Sequence, residues 1–156
     1  MKNYWRLGVL FYILSAMGNN VLADDVPERI VSVIIQLESQ GNDWAIGDKK
    51  YKSGRLKPSS KWTYGPLQIG YRCVADVNKR FKTNYKAEDC LGNRELSVWI
   101  FNRYMEIYAT SKALGHDPTS EDYFSIWNGG PSGWKSFSTR SYVSRGLALL
   151  RDSPYM

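Results

Sequence analysis

A short apolar repeat at residues 30–37 constrains the fold of this chain more than any other feature. Its apolar side chains recur three and four positions apart, which is the spacing of a helix with one buried face. They are Ile30, Val33, Ile34 and Leu37, with Val31 and Ile35 widening the face. A helix this apolar needs other elements packed around most of its surface, and Gly41 predicts where it ends.

The rest of the chain continues the helical pattern with short breaks. We predict further helices over residues 66–82, 93–114, 119–126 and 139–151. Residues 42–64 show little periodicity, and a small β-hairpin fits there. The predicted fold class is therefore mostly α. A single domain is expected, because 156 residues are too few for two full domains.

The N-terminal segment is typical of a secretory signal peptide. Lys2 and Arg6 precede an uncharged apolar stretch at residues 7–17, and Val21-Leu22-Ala23 follows as a cleavage site. We predict removal of residues 1–23, leaving a domain of residues 24–156 in the periplasm or outside the cell, without stable membrane insertion. The alternative is an uncleaved anchor, but the stretch is shorter than the roughly 20 residues a span needs.

Cysteine and histidine content restricts the chemistry. An oxidising compartment would allow Cys73 and Cys90 to form a disulfide, and two buried free thiols are the alternative. Two Cys and one His do not make a four-ligand zinc site or a multi-histidine cage. We therefore expect neither a metal nor another cofactor.

The chain is basic, with 21 Lys and Arg against 15 Asp and Glu and a net charge of +6. This favours an acidic partner such as a cell-wall polymer, a nucleic acid or an anionic membrane, although a basic domain without such a partner has the same charge. No basic-aromatic strand pattern indicates nucleic acid. Residues 49–62 form a basic stretch without acids, which is either a lid or a solvated insertion. Its cations are Lys49, Lys50, Lys52, Arg55, Lys57 and Lys61.

Glu38 is the first candidate for chemistry. It stands at the C-terminal end of the apolar helix, one turn after Ile34 and Ile35. Desolvation there favours the protonated acid, and the negative end of the helix dipole acts in the same direction. A protonated carboxylic acid on a rigid helix end is the group that general-acid cleavage of a glycosidic bond requires. The alternative is an ordinary exposed Glu.

Two further stretches place polar groups among apolar ones. Gln68 follows the Gly65-Pro66 turn, where it either faces a site or caps backbone groups. Trp127 and Asn128 open a glycine-rich stretch that ends at Trp134. Indole faces suit sugar rings and the Asn amide suits their substituents, whereas the alternative is a glycine turn between two core indoles.

Six motifs occur in one order along the chain. They are Glu38-Ser39-x-Gly41-Asn42, Ala45-Ile46-Gly47-Asp48, Gly65-Pro66-Leu67-Gln68-Ile69, Asn93, Trp127-Asn128-Gly129-Gly130-Pro131 and Thr139-Arg140-x-Tyr142-Val143. In this order they resemble the soluble lytic transglycosylase domain of the lysozyme-like superfamily. They are also similar to phage-type and goose-type lysozymes. The resemblance spans about residues 25–145.

The resemblance implies a lysozyme-like fold with helices around a glycan-binding groove. Glu38 matches the catalytic acid of the family and Ser39 the polar residue beside it. Gln68, Asn128 and Tyr142 match residues that bind substrate. The implied substrate is peptidoglycan, cut between N-acetylmuramic acid and N-acetylglucosamine. We expect a monomer, with a secretion or conjugation machine of the cell envelope as an optional partner.

The sequence departs from the family at Trp127, which stands where a Tyr is usual, and at Leu67, which replaces Met. The mechanism stays open at this point. Lytic transglycosylases use one Glu, which favours Glu38 alone and 1,6-anhydro products. Hydrolysis as in a muramidase normally needs a second carboxylate, for which Asp48 is the best candidate. A non-catalytic peptidoglycan-binding module is the third option.

Overall fold

The structure is a computed structural model that describes residues 25–152. Within this range the chain forms six α-helices and one small sheet. The helices are α1 (Glu28–Ser39), α2 (Tyr71–Phe81), α3 (Arg94–Tyr108), α4 (Ser111–Leu114), α5 (Ser120–Gly129) and α6 (Arg140–Asp152). The strands are β1 (Ile46–Gly47), β2 (Thr63–Tyr64) and β3 (Ile69–Gly70). The prediction of a mostly α fold with a little β structure is confirmed.

The predicted signal peptide, residues 1–23, lies outside the described residues. In the part of the chain that the structure describes, no helix is long and apolar enough to cross a membrane.

Helix α1 is buried as its sequence predicts. Val33 and Ile34 are almost fully inaccessible, and the helix packs against α5 and α6. It ends one residue earlier than Gly41 predicts, because Gln40 already adopts a left-handed conformation with φ 54°, followed by Gly41 at φ 85°. Two left-handed residues in succession turn the chain sharply away, so Glu38 lies on the last turn of a rigid helix.

The predicted helix over residues 93–114 is two helices. Asn93 caps α3 by accepting a hydrogen bond from the Leu96 backbone N–H at 3.0 Å. The helix then breaks at Ala109, and the Thr110 side chain caps α4 by accepting from Ala113. The apolar spacing continues across this break and therefore predicts one helix, whereas the Thr110 cap starts a second one.

The predicted helix over residues 66–82 begins only at Tyr71. Gly65 has φ 75° and Gln68 has φ 51°, neither of which is helical, and β3 follows directly. Gly65 is required because a Cβ there would lie 2.3 Å from the Cys90 carbonyl oxygen. The strands pair antiparallel in the order β1-β2-β3, so this turn belongs to a three-stranded sheet.

The basic stretch at residues 49–62 is ordered. Lys50 and Leu56 form an antiparallel bridge, and the Lys57 N–H donates to the Lys49 carbonyl at 2.8 Å. The Trp62 indole N–H donates to the Lys57 carbonyl at 2.9 Å. The stretch is therefore a small hairpin, extending from β1, rather than a loose insertion; we call it the basic hairpin.

The predicted disulfide is wrong, since Cys73 and Cys90 are both free thiols. Cys73 lies on the first turn of α2, where it lines a surface cleft. Cys90 is fully buried at the end of a 3-10 turn, Ala87–Cys90, and packs in the core. Burial raises the pKa of both thiols, that of Cys90 to about 11, which keeps them protonated and poorly reactive at neutral pH.

Candidate active site

A cleft of about 550 Å³ opens between the end of α1, the small sheet and α5. We call it the central cleft. It brings together five residues that sequence analysis singled out: Glu38, Asp48, Gln68, Trp127 and Asn128. Its wall also includes Thr63 and Tyr104, which were not predicted as site residues, and Cys73, which was predicted only as a disulfide partner. The cleft is large enough for part of a polymeric substrate and is rich in polar groups.

Glu38 lies in the wall of this cleft and is half-buried. The Tyr142 hydroxyl donates a hydrogen bond to its Oε1 at 2.7 Å. Burial raises the Glu38 pKa above its ordinary value of 4.5, while the Tyr142 hydrogen bond and the positive charge of Arg145 lower it in part. Because desolvation has the larger effect, the carboxyl group holds its proton to a higher pH than an exposed Glu.

Tyr142 lies behind Glu38 rather than in the cleft wall. It is buried on α6, and the Arg145 guanidinium stands 5.7 Å from the centre of its ring. Burial and the neighbouring Glu38 charge raise the Tyr142 pKa, so this hydroxyl acts as a hydrogen-bond donor and stays protonated. The structure therefore gives Tyr142 a positioning role toward Glu38.

Ser39, like Tyr142, is a predicted site residue that does not line the cleft. Its hydroxyl donates to the Ile35 carbonyl of its own helix at 3.2 Å. This bond is local and helps to close the last turn of α1.

Asp48 lines the same cleft as Glu38 in a different environment. It directly follows β1 in a left-handed conformation with φ 49°, and about half of its side chain is exposed. Its Oδ1 accepts a hydrogen bond within an ion pair from Lys57 of the basic hairpin, whose own side chain is mostly buried. The second carboxylate of the cleft is thus tied to a cation.

Gln68 projects from the turn between β2 and β3. Its Nε2 donates to the Gly65 carbonyl at 2.9 Å, and its Oε1 accepts from the Thr63 hydroxyl at 2.8 Å. Gly47 makes room for this amide, because a Cβ at that position would lie 2.0 Å from the Gln68 Oε1. The sequence left open whether Gln68 faces a site or caps backbone groups, and the structure shows both: the amide caps the Gly65 carbonyl and lines the cleft.

The two indoles of the glycine-rich stretch lie apart. Trp127 packs edge-on against Phe101 and Tyr104, with ring centres 4.8 and 5.9 Å away, and only part of its surface faces the cleft. Asn128 is exposed at the rim. Trp134 lines a different cavity beside Phe137, so it does not belong to this site.

Tyr104 lines the cleft, but nothing in the sequence indicates that it belongs to a site. It lies on the apolar face of α3 and is almost fully buried, so its spacing is that of a core residue. Burial raises its pKa, which keeps the hydroxyl protonated. No local motif separates such a residue from its core neighbours.

Metal-binding side chains are scattered in the described structure. Among residues 25–152, no group of three or more His, Cys, Asp or Glu side chains lies close enough together to hold a metal ion. The polar groups that face the central cleft are carboxylate, amide, hydroxyl and thiol groups of the chain itself.

Comparisons with known proteins point to one fold. No protein-family model matches the sequence, and no curated protein matches it. A chain in the crystal structure of Aeromonas hydrophila PliI in complex with Meretrix lusoria lysozyme matches with a TM-score of 0.62 and 24% identity, over 81% of this chain and 93% of that chain. Tapes japonica lysozyme matches with a TM-score of 0.59 and 22% identity, over 82% of this chain and 90% of its own. The protein therefore has a lysozyme-like fold.

Proposed function

We propose that the protein cleaves the β-1,4 bond between N-acetylmuramic acid and N-acetylglucosamine in peptidoglycan. One observation carries this proposal: Glu38 lines a cleft of about 550 Å³ with its pKa raised by burial and its carboxyl group held by Tyr142. A positioned acid of raised pKa beside a groove is the arrangement that general-acid cleavage of a glycoside requires. The likeness to lysozyme structures supports the choice of substrate class.

In the mechanism we favour, Glu38 acts alone, as in a lytic transglycosylase. Its carboxyl group donates a proton to the bridging oxygen as the bond from that oxygen to C1 of the muramic acid breaks. The resulting carboxylate then accepts the proton of the muramic acid C6 hydroxyl, whose oxygen bonds to C1. The products are a 1,6-anhydro end and a free sugar hydroxyl, and Glu38 is again protonated.

Hydrolysis is the second candidate, because Asp48 lines the same cleft. In that reaction Asp48 would activate a water molecule that adds to C1, while Glu38 protonates the leaving oxygen. The ion pair with Lys57 argues against it, because Asp48 Oδ1 already accepts a hydrogen bond from the Lys57 ammonium group and is not free to accept a proton from water.

The central test compares clearing of purified peptidoglycan by residues 24–156 and by the same domain carrying Glu38→Gln. We expect loss of clearing with an unchanged circular dichroism spectrum. Glu28→Gln is the matched control, because Glu28 is an exposed carboxylate on the first turn of the same helix. Full activity of the Glu38→Gln variant would refute the assignment. Binding without clearing by the wild type would instead identify a non-catalytic module.

Mass spectrometry of the released muropeptides separates the two reactions. Anhydro ends are expected from the favoured mechanism. Free reducing ends would show hydrolysis and would give Asp48 the second catalytic role.

A further inference from the structure

A second cavity of about 440 Å³ adjoins the central cleft, and we call it the side cavity. The two share three lining residues, Asp48, Thr63 and Cys73, so they lie next to each other. The remaining wall comes from the basic hairpin and the start of α2. It consists of Tyr51, Lys57, Lys61, Gly70, Tyr71 and Arg72.

The side cavity is positively charged. Three cations line it against one carboxylate, and that carboxylate, Asp48, is already paired with Lys57. Lys61 and Arg72 remain exposed to solvent at the wall. The Lys57 ammonium has three N–H donors, and its bond to Asp48 uses one of them.

The pKa of Tyr71 reflects the charge of the same two cations, Lys61 and Arg72. The Arg72 Nε donates to its hydroxyl at 3.0 Å. That bond, then the charge of Arg72 and the charge of Lys61, lower the Tyr71 pKa. A group at this point is therefore stabilised when it becomes negative, which is the property an anion-binding site needs.

The two tyrosine rings give the side cavity apolar walls as well. Tyr71 is about half exposed, and Tyr51 lies beneath Lys57, whose Nζ is 5.6 Å from the ring centre. A ligand that fits this surface combines carboxylates with short alkyl segments.

We propose that the side cavity binds the acidic peptide stem that N-acetylmuramic acid carries in peptidoglycan. This inference rests on the proposed function, because it places the sugar in the central cleft. The stem leaves the sugar ring through the lactyl group, so it starts next to the cleft and reaches an adjoining cavity directly. Its free carboxylates then meet Lys61 and Arg72, and its alkyl groups contact Tyr51 and Tyr71.

The shared wall of the two cavities favours a stem over a separate anionic polymer. A phosphate-rich polymer of the envelope would need only surface cations, and these also occur elsewhere on the chain. The side cavity instead shares its wall with the cleft that Glu38 lines, so a group linked covalently to a sugar in that cleft would lie beside it.

A binding experiment tests this without any cleavage. The probe is the soluble tetrapeptide stem, alanyl-glutamyl-diaminopimelyl-alanine, titrated into wild type and into Lys61→Ala/Arg72→Ala by calorimetry. We expect Kd to rise about fivefold in the double variant, since each exposed ion pair contributes less than a tenfold change. The matched control is Lys79→Ala/Lys112→Ala, which removes two exposed cations far along α2 and on α4.

Several results would overturn the proposal. It fails if the double variant has the same Kd as wild type, or if a peptide with carboxamides in place of its carboxylates binds equally well. It also fails if wild type does not bind the stem peptide. Binding of inorganic polyphosphate without binding of the stem would show a general anion surface instead.

Kinetics then separate this inference from the proposed function. The double variant should lose about fivefold in kcat/KM on intact peptidoglycan and nothing on glycan strands stripped of their stems. Equal losses on both substrates would contradict stem binding. If wild type cleaves neither substrate, the proposed function fails, and the peptide titration still decides the inference.

Discussion

The two carboxylates of the central cleft line one cavity but differ in the element that carries them, in their exposure and in their hydrogen-bond partner. Glu38 sits on the last turn of a buried helix, half-buried, and accepts a hydrogen bond from an uncharged phenol, Tyr142. Asp48 follows a two-residue strand, is half exposed, and is paired with the cation of Lys57.

The element that carries each carboxylate therefore determines its burial and its hydrogen-bond partner. A helix end can bury an acid so far that desolvation outweighs the nearby charge of Arg145, and the acid then retains its proton. A strand end beside a basic hairpin offers a cation, and the carboxylate becomes part of an ion pair. We therefore predict separate roles for the two groups, and each of the following changes tests that separation.

The largest effect is expected from Glu38→Gln. Removing a general acid costs about 10²- to 10⁴-fold in rate, so kcat on peptidoglycan should fall into that range. The amide oxygen still accepts the Tyr142 hydrogen bond, which preserves the local structure. Initial rates of muropeptide release provide the measurement, and a fall of less than tenfold would remove Glu38 from the chemistry.

Tyr142→Phe should come next. It deletes the hydrogen bond that holds Glu38, and we expect kcat to fall by up to about tenfold, since a hydrogen bond between neutral groups contributes about 0.5–1.5 kcal/mol. That bond lowers the Glu38 pKa, so its loss should also shift the alkaline limb of the pH–rate profile to higher pH. A lower kcat with an unmoved limb would mean that Tyr142 supports the fold only.

A smaller effect is expected from Asp48→Asn. If Glu38 acts alone, kcat should fall by less than about tenfold, because the variant removes only an exposed ion pair. The comparison with Glu38→Gln is made on the same substrate and at the same pH. A near-complete loss would place Asp48 in the reaction and favour hydrolysis.

The smallest effect concerns stability. A raised Glu38 pKa means that the folded chain binds more protons than the unfolded chain between pH 4.5 and the folded pKa, so stability falls as the pH rises through that window. Glu38→Gln lacks this penalty and should have a Tm at or above that of wild type at neutral pH. The difference should vanish below pH 4.5, and thermal melts at both pH values measure it.

The sequence predicted the parts of the site that local patterns encode. The apolar spacing of α1 and the Gly41 stop place Glu38 on a buried helix end, and this is confirmed by burial in the structure. The predicted helix over residues 119–126 also starts at a local signal, because Thr119 and Asp122 form a capping box at the beginning of α5. These features depend on residues within a few positions of one another.

The features that the sequence did not predict depend on contacts between distant segments. Tyr142 reaches Glu38 across 104 positions, and its role as a positioning residue is visible only in the folded chain. Gln68 adopts a left-handed conformation because the sheet and Gly65 require a turn there, whereas its apolar neighbours predict a helix. The predicted disulfide is wrong for the same reason, because the cysteine count does not show where each thiol lies in the fold.

Burial of Glu38 raises its pKa, so this group should hold its proton at a higher pH than an ordinary Glu. Its titration can be followed directly by difference infrared spectroscopy of the carboxyl band, with the spectrum of Glu38→Gln subtracted from that of wild type. We predict a midpoint above 4.5 for this group. A midpoint at or below 4.5 would contradict the claim, because the acid would then be ionised where the cleavage requires its proton.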